Sequence, residues 1–464
     1  MKKNSPRTAS LWFAGALYFN SALLLLATPI FTRLLTPAEY GTVVLYTSLS
    51  TILGIFATLS LSSGVYNIAQ IELKSELTQY TSSMLALSTL ATLVTLGVFM
   101  LAGQFYPSLM GLPPHLLALM FVTFVFNAAF LFWQSQQRFN YQYKAVVAIG
   151  VLGSLLGVGM AIYFTRALDG YRVESRIFFA ALPNLAVGAW LYVSLLMRGA
   201  VLYSARYWKF ALALGMPLLP HYLAQAFVLQ FDRFTIEAAL GKASVGVYGL
   251  AAAVSSGLVL LTTAINTTWV PWMLRKLHDN HHEDIVRRAT DLMAVTATIA
   301  AVLSLLAPEI VHLLAPPTYG LAAGVIPLLL VAGHVQFIQS ILLNLEFRHK
   351  RVYFITGASI FAAAVNVGLN LTLVPRYGVQ AAAVTLLATQ VAQCALYYGV
   401  TRWRKDVRVL SARYAVASSV IAGLAALLAI ASADNLPQRL EGMALALLAL
   451  GGFALVRHRR QSAA

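Results

Sequence analysis

The feature that most constrains this chain is a succession of apolar runs, each close to 20 residues long. A helix of about 20 residues crosses the roughly 30 Å of hydrocarbon in a bilayer. The runs are uniformly apolar and do not alternate with period two, so they read as helices and not as strands of a barrel. The expected fold is therefore an all-α integral membrane protein with about 14 transmembrane helices, at 11–31, 42–66, 80–102, 115–135, 145–165, 177–197, 210–231, 245–270, 290–308, 320–343, 353–374, 379–400, 412–432 and 440–456. Pro37, Pro113-Pro114, Asp169-Gly170, Pro316-Pro317 and Pro375 punctuate the breaks. Composition agrees: 10% of the 464 residues are charged, against about 25% in soluble domains. The single cysteine, Cys394, rules out an intramolecular disulfide.

The run from Leu11 to Phe31 is too long for the core of a signal peptide, and no small-residue cleavage site follows it, so a retained first span is expected. Alternating the loops from a cytoplasmic N-terminus places 24 of the 32 Lys and Arg residues on the cytoplasmic side. That bias predicts a multi-pass protein with both termini cytoplasmic. The 16 Asp and Glu residues divide evenly between the sides, so the formal excess of +16 faces the cytoplasm. Scattered over short loops beside anionic headgroups, it reflects topology and lipid contact, and nucleic acid is not an expected partner.

The chain also echoes itself. Leu35-Thr36-Pro37-Ala38-Glu39-Tyr40-Gly41 aligns with Leu240-Gly241-Lys242-Ala243-Ser244-Val245-Gly246, and Phe31-Thr32-Arg33 aligns with Phe231-Asp232-Arg233. Arg138 to Tyr143 aligns with Arg348 to Tyr353, and Val158-Gly159 with Val367-Gly368. All the offsets lie near 200–210 residues, a repeat of about six helices. Six spans return the chain to its starting side, so two six-helix lobes are expected, related by a pseudo-twofold near the membrane normal. The predicted boundaries are 1–200 and 201–405, with helices 13 and 14 and a basic cytoplasmic tail over 406–464.

Two like lobes create a cavity, where charges within spans are expected. Arg33, Asp232 and Arg233 are the first candidates, the two arginines occupying corresponding positions in the repeat. Anchoring at the interface by snorkelling is the competing reading for both arginines. Asn20 in the first span and Tyr222 in the seventh complete the expected cavity set. His221 follows Pro217 and Pro220, which free backbone carbonyls, and it is a candidate for ion coupling together with Asp232 and His334. A hydrogen-bonded packing residue is the competing and commoner reading for each histidine. The stretch His278-Asp279-Asn280-His281-His282-Glu283-Asp284 has metal-like spacing, but its setting among Arg275, Lys276, Arg287 and Arg288 reads as a solvated loop, so no metal site is expected. There is no P-loop, no paired loop carboxylates and no nucleophile elbow, and the short loops leave no room for a catalytic domain. The chain reads as a transporter and not an enzyme.

These residues carry a family resemblance. Phe31 to Gly41 resembles the first-helix signature of the polysaccharide-export flippases, the Wzx-like O-antigen and teichoic-acid exporters. Phe231-Asp232-Arg233, Gly246-Val247-Tyr248 and Asn266-Thr267-Thr268-Trp269-Val270-Pro271 are similar to the family's seventh and eighth helices. Leu371 to Ala383 is similar to its passage between helices eleven and twelve, with Gln380 standing where the family commonly has glycine. The resemblance implies the two-lobe fold of the superfamily that includes MATE extruders and the lipid II flippase. It implies a flippase for undecaprenyl-diphosphate-linked oligosaccharide in the bacterial inner membrane; no cofactor is expected, and H+ or Na+ are the candidate coupling ions for the intramembrane Asp and His residues. A polysaccharide polymerase and a chain-length regulator are the implied partners, besides the lipid-linked oligosaccharide and the bilayer. On this reading Arg33 and Arg233 hold the diphosphate and Asp232 orients Arg233. The rival is a MATE-type cation-coupled multidrug antiporter, which would favour an anionic cavity over an arginine-rich one.

Overall fold

The computed structural model of the protein describes residues 6–62, 64–105, 111–433 and 435–448. Among these residues there is no strand. The helices are α1 (Pro6–Leu34), α2 (Pro37–Thr58), α3 (Gly64–Glu72), α4 (Leu77–Phe105), α5 (Pro114–Phe139), α6 (Tyr143–Ala167), α7 (Arg172–Gly199), α8 (Ala205–Gly215) and α9 (Leu219–Leu240). They continue with α10 (Lys242–His278), α11 (His282–Leu305), α12 (Ala307–Leu314), α13 (Ala322–Arg348), α14 (Val352–Tyr377), α15 (Val379–Trp403) and α16 (Ala412–Ala431). Thirteen helical segments among the described residues are long and apolar enough to cross a membrane. The fourteenth expected span begins as a helix at 436–448, and its remainder and the basic tail lie outside the described residues. The chain divides into two compact units, Met1–Ala226 and Phe227–Ala464.

Local chemistry explains where the helices stop. The stretch Thr36-Pro37-Ala38-Glu39 is a capping box: the Thr36 N–H donates to Glu39 Oε2 at 2.7 Å, and the Glu39 N–H donates to Thr36 Oγ1 at 3.3 Å. Pro37 takes the first helical position, where its missing N–H costs nothing. Glu39 is therefore spoken for by the backbone. The second span closes earlier than its apolar run, at Thr58, because Leu59 and Ser60 adopt left-handed φ. In the seventh span Pro217 forces a 3-10 turn over Met216–Leu218, which splits the run into α8 and α9.

The echoed segments 138–143 and 348–353 close with the same turn. Gln142 N donates to Gln137 O at 2.8 Å and Arg351 N to Glu346 O at 3.1 Å, each around a left-handed residue, Tyr141 or Lys350. The links α9–α10 and α14–α15 are tighter still, one residue each: Gly241 with φ 81 and ψ 171, and Gly378 with φ 78 and ψ −161. Only glycine populates that region readily. Gly378→Ala is expected to cost about 1–3 kcal/mol, all of it backbone strain, since a Cβ there meets nothing within 4 Å. Thermal unfolding in detergent tests this, and an unchanged midpoint would refute it.

Packing within each unit follows membrane rules, with small residues allowing close helix approach. A Cβ at Gly157 of α6 would sit 2.7 Å from Ala180 O of α7, so only glycine permits that contact. The first unit also holds an aromatic core in which Tyr66 meets Phe132 edge-on at 4.9 Å and Tyr80 meets Tyr207 at 5.6 Å. The second unit wraps around α13, which is buried at most of its positions, from Ala322 to Glu346. Gln380 packs against Gly324, its Nε2 lying 2.6 Å from where a Cβ would be, so the glutamine uses space that a neighbouring glycine leaves open.

Candidate functional site

The second unit builds its charged site at the facing ends of α9 and α10. Asp232 is 1% exposed, deep enough that an uncompensated carboxylate would be prohibitive. Its Oδ1 accepts from Arg233 Nη1 at 2.6 Å and from the Arg233 backbone N–H at 2.9 Å. Its Oδ2 accepts from the Tyr248 hydroxyl. The guanidinium also lies over the Tyr248 ring, 5.2 Å from the centroid, and returns Nη1 to the Leu229 carbonyl one turn back. The arginine side chain is 13% exposed. Among the described residues no oxygen accepts from its Nε or Nη2. A guanidinium carries five donors, so this one is neutralised by Asp232 while still having hydrogen-bonding capacity. The loop between α9 and α10 hides Tyr248 from a reading of spacing: 16 residues separate it from Asp232, and only the Gly241 reversal brings them together.

The predicted residues of the first unit behave differently. Arg33 lies exposed at the end of α1 and donates through Nη1 to the Pro29 carbonyl at 2.9 Å. It thus shares with Arg233 the return to the carbonyl four residues back, but not the burial. Asn20 faces α6 across Gly150, whose missing Cβ would lie 4.0 Å from Asn20 Nδ2, and its Oδ1 is buried without a hydrogen-bond partner. His221 and Tyr222 are half-buried neighbours at the start of α9, with ring centroids 5.7 Å apart.

His334 stands in the middle of α13 and is fully buried. Thr296 of α11 lies 3.0 Å from its Nδ1, and Ser418 of α16 lies 3.2 Å from its Nε2. The ring bridges three helices with both nitrogens engaged. His278 and His282 fall at the adjoining ends of α10 and α11, where Lys276 pairs with Asp284 at 2.7 Å, and no group of three metal-ligating side chains exists among the described residues.

Two polar groups of the second unit escaped the sequence reading. Asn366 and Asn370 of α14 are buried one turn apart, with Asn370 Nδ2 donating to Asn366 Oδ1 at 3.1 Å and Asn366 Nδ2 facing Thr389 of α15 at 3.4 Å. At one end of α13, Arg351 binds Asp406 through both terminal nitrogens, at 2.5 and 2.9 Å, and reaches the fully buried Glu346 at 3.2 Å. These asparagines sit at the i, i+4 spacing of one helix face, which was a readable signal. The Arg351–Asp406 pairing spans 55 residues and left none.

A family model described as polysaccharide biosynthesis protein matches residues 9–277, more than half of the 464 residues. The chain belongs to this family. The matched segment includes Phe31 to Gly41 and Asn266 to Pro271, two of the passages that carried the resemblance. Compared by sequence with curated proteins, the chain matches none. Its fold is shared with solved structures. The lipid II flippase MurJ in an inward closed conformation superposes with TM-score 0.72 at 12% identity, over 97% of this chain and 99% of that one. An inward-facing multidrug resistance MATE family transporter gives 0.61 at 14% identity, over 83% and 94%. A superfamily transporter from Pyrococcus furiosus, described by the reversed polarity of its binding pocket, gives 0.52 at 16% identity, over 87% and 96%. The family member thus has the MurJ- and MATE-like helical fold, and the neighbours that share it are described as a flippase and transporters, not as enzymes.

Proposed function

We propose that the protein is a flippase that carries an undecaprenyl-diphosphate-linked oligosaccharide, an O-antigen or other surface-polysaccharide repeat unit, from the inner to the outer leaflet of the bacterial inner membrane. The observation that carries this reading is Arg233, a largely enclosed guanidinium held by Asp232 and Tyr248 with Nε and Nη2 unclaimed among the described residues. Such a group receives a phosphate or an acidic sugar bidentately, and Asp232 keeps it oriented and neutral when no anion is bound. The family supports a polysaccharide-related cargo over a drug cation, and the fold is one that a protein described as a lipid II flippase shares. Both termini are cytoplasmic in this proposal, and alternating access moves the cargo. Coupling to H+ or Na+ falls to Asp232, His221 and His334; the hydroxyls of Thr296 and Ser418 beside His334 donate to backbone carbonyls and can accept from both ring nitrogens. An exported repeat unit also implies a polymerase and a chain-length regulator as consumers.

The test is leaflet accessibility of a lipid-linked oligosaccharide in proteoliposomes. The wild type should expose the glycan to an outside probe, whereas folded Arg33→Ala and Arg233→Ala should each slow exposure by about tenfold or more, the effect of losing one charge-assisted contact. Variants that flip at the wild-type rate would make both arginines interfacial anchors. A wild type that leaves the glycan inaccessible with and without an ion gradient, but moves drug cations, would point to the antiporter.

A further inference from the structure

The end of the first unit where α1, α2 and α7 meet contains an arginine that the repeat did not single out. Arg176 lies one turn into α7, half-buried, with its Cζ 3.9 Å from the centroid of the Phe31 ring. Phe31 belongs to α1 and is 2% exposed, so the stack covers one face of the guanidinium with an immobile ring. Tyr40 of α2 is its electrostatic neighbour.

The carboxylates of this end are all committed elsewhere. Glu39 caps α2 through the Thr36 N–H at 2.7 Å. Asp169 pairs with Arg172 at 2.8 Å, and Glu174 meets His115 at 3.2 Å. Arg172 also donates to the Leu34 carbonyl, at 3.4 Å. Among the described residues no carboxylate pairs with Arg176 and no oxygen accepts from it. A partly desolvated guanidinium without an anion is costly in a membrane protein. An aromatic face orients the guanidinium plane and leaves its edges free, the geometry that accepts two oxygens side by side.

We propose that Arg176, stacked on Phe31 beside Tyr40, is an oxyanion subsite of the first unit that binds a phosphate group of a lipid-linked substrate. The assignment of the phosphate to a carrier lipid rests on the flippase reading, whereas the subsite itself does not. Arg233 has an internal carboxylate to neutralise it and Arg176 has none, so the anion supplies the missing charge.

Binding to the full chain in nanodiscs tests this, with undecaprenyl diphosphate, undecaprenol, phosphatidylglycerol and inorganic pyrophosphate as separate probes. Undecaprenyl diphosphate should raise the midpoint of thermal unfolding and undecaprenol should not. In Arg176→Gln the affinity for the diphosphate lipid should fall by about tenfold or more, with a smaller loss in Arg176→Lys, which keeps the charge but not the planar stack. Binding of pyrophosphate alone would assign the site to the free anion, and binding of phosphatidylglycerol to bulk lipid; either result overturns the carrier-lipid assignment. Wild-type affinity in Arg176→Gln overturns the subsite. So does an equal loss of undecaprenol binding and of unliganded stability in both variants, which would make Arg176 a packing residue. A wild type that binds the diphosphate through Arg176 yet does not flip it would sink the flippase reading and leave the subsite standing.

Discussion

Asp232→Ala is expected to lower stability by about 3–5 kcal/mol, the penalty for leaving a buried charge without its partner. Three donors converge on this carboxylate, from the Arg233 side chain, the Arg233 backbone and Tyr248, and all three lose it at once, which leaves Arg233 Nη1 only the Leu229 carbonyl. Asp232→Asn should be milder, since the amide oxygen still accepts while Arg233 stays uncompensated. The double variant Asp232→Ala/Arg233→Ala should recover part of the loss, because it removes the orphaned charge along with its partner. Thermal unfolding of the purified proteins in detergent reads all three. A double variant no more stable than Asp232→Ala would mean that the pair is not the source of the penalty and that Tyr248 is.

Arg351→Ala carries the second large effect, again about 3–5 kcal/mol, because it strands the buried Glu346 and the partly buried Asp406 at once. Glu346 is fully buried at the end of α13, and Thr401 and Arg351 are its polar neighbours. Asp406 lies beyond the end of α15, where the hydrogen bonds from Arg351 hold its carboxyl below the usual range against the opposing effect of burial. A carboxyl with a lowered folded-state pKa stabilises the protein above its unfolded value, about pH 4. That contribution is lost as pH falls through the lowered folded value. The wild type should therefore weaken on acidification below about pH 4, and Arg351→Ala should lose the part of that acid dependence that Asp406 supplies. An unchanged acid limb in the variant would assign the dependence to other carboxyls.

The clasp also explains why α13, α14 and α15 meet where they do. The turn after α13 is closed by Arg351 N donating to Glu346 O, and the same arginine's side chain then ties that turn to the segment after α15. Backbone and side chain of one residue thus set both a local reversal and a tertiary contact. At the other end of α14 the single-residue link at Gly378 does the corresponding job with backbone conformation alone.

What the sequence by itself determined is whatever depends on local chemistry and on the solvent. Apolar runs of membrane length specify helices because lipid offers no partner for a free backbone N–H, and those helices appear where the runs are. Pro217, Gly241, Gly378 and the Thr36–Glu39 box act within a few residues of themselves, so their breaks, reversals and caps are set by local sequence, although only the Pro217 break is expected from it. The phenylalanine, threonine and arginine of the first helix, and the Asp232-Arg233 pair, are legible for the same reason: a charge near the end of an apolar run is conspicuous. Tertiary structure alone decided which charges are neutralised. Arg33 and Arg233 look equivalent along the chain, yet one is exposed and the other is locked to Asp232 under Tyr248. Arg176 reads as one more interfacial arginine until α7 lays it on Phe31, 145 positions earlier in the chain. Asp406 reads as a loop residue until Arg351 claims it. The physical reason is the same in each case: the cost of a charge is set by its surroundings, and in a helical membrane protein those are supplied by other helices, at separations that no local pattern encodes.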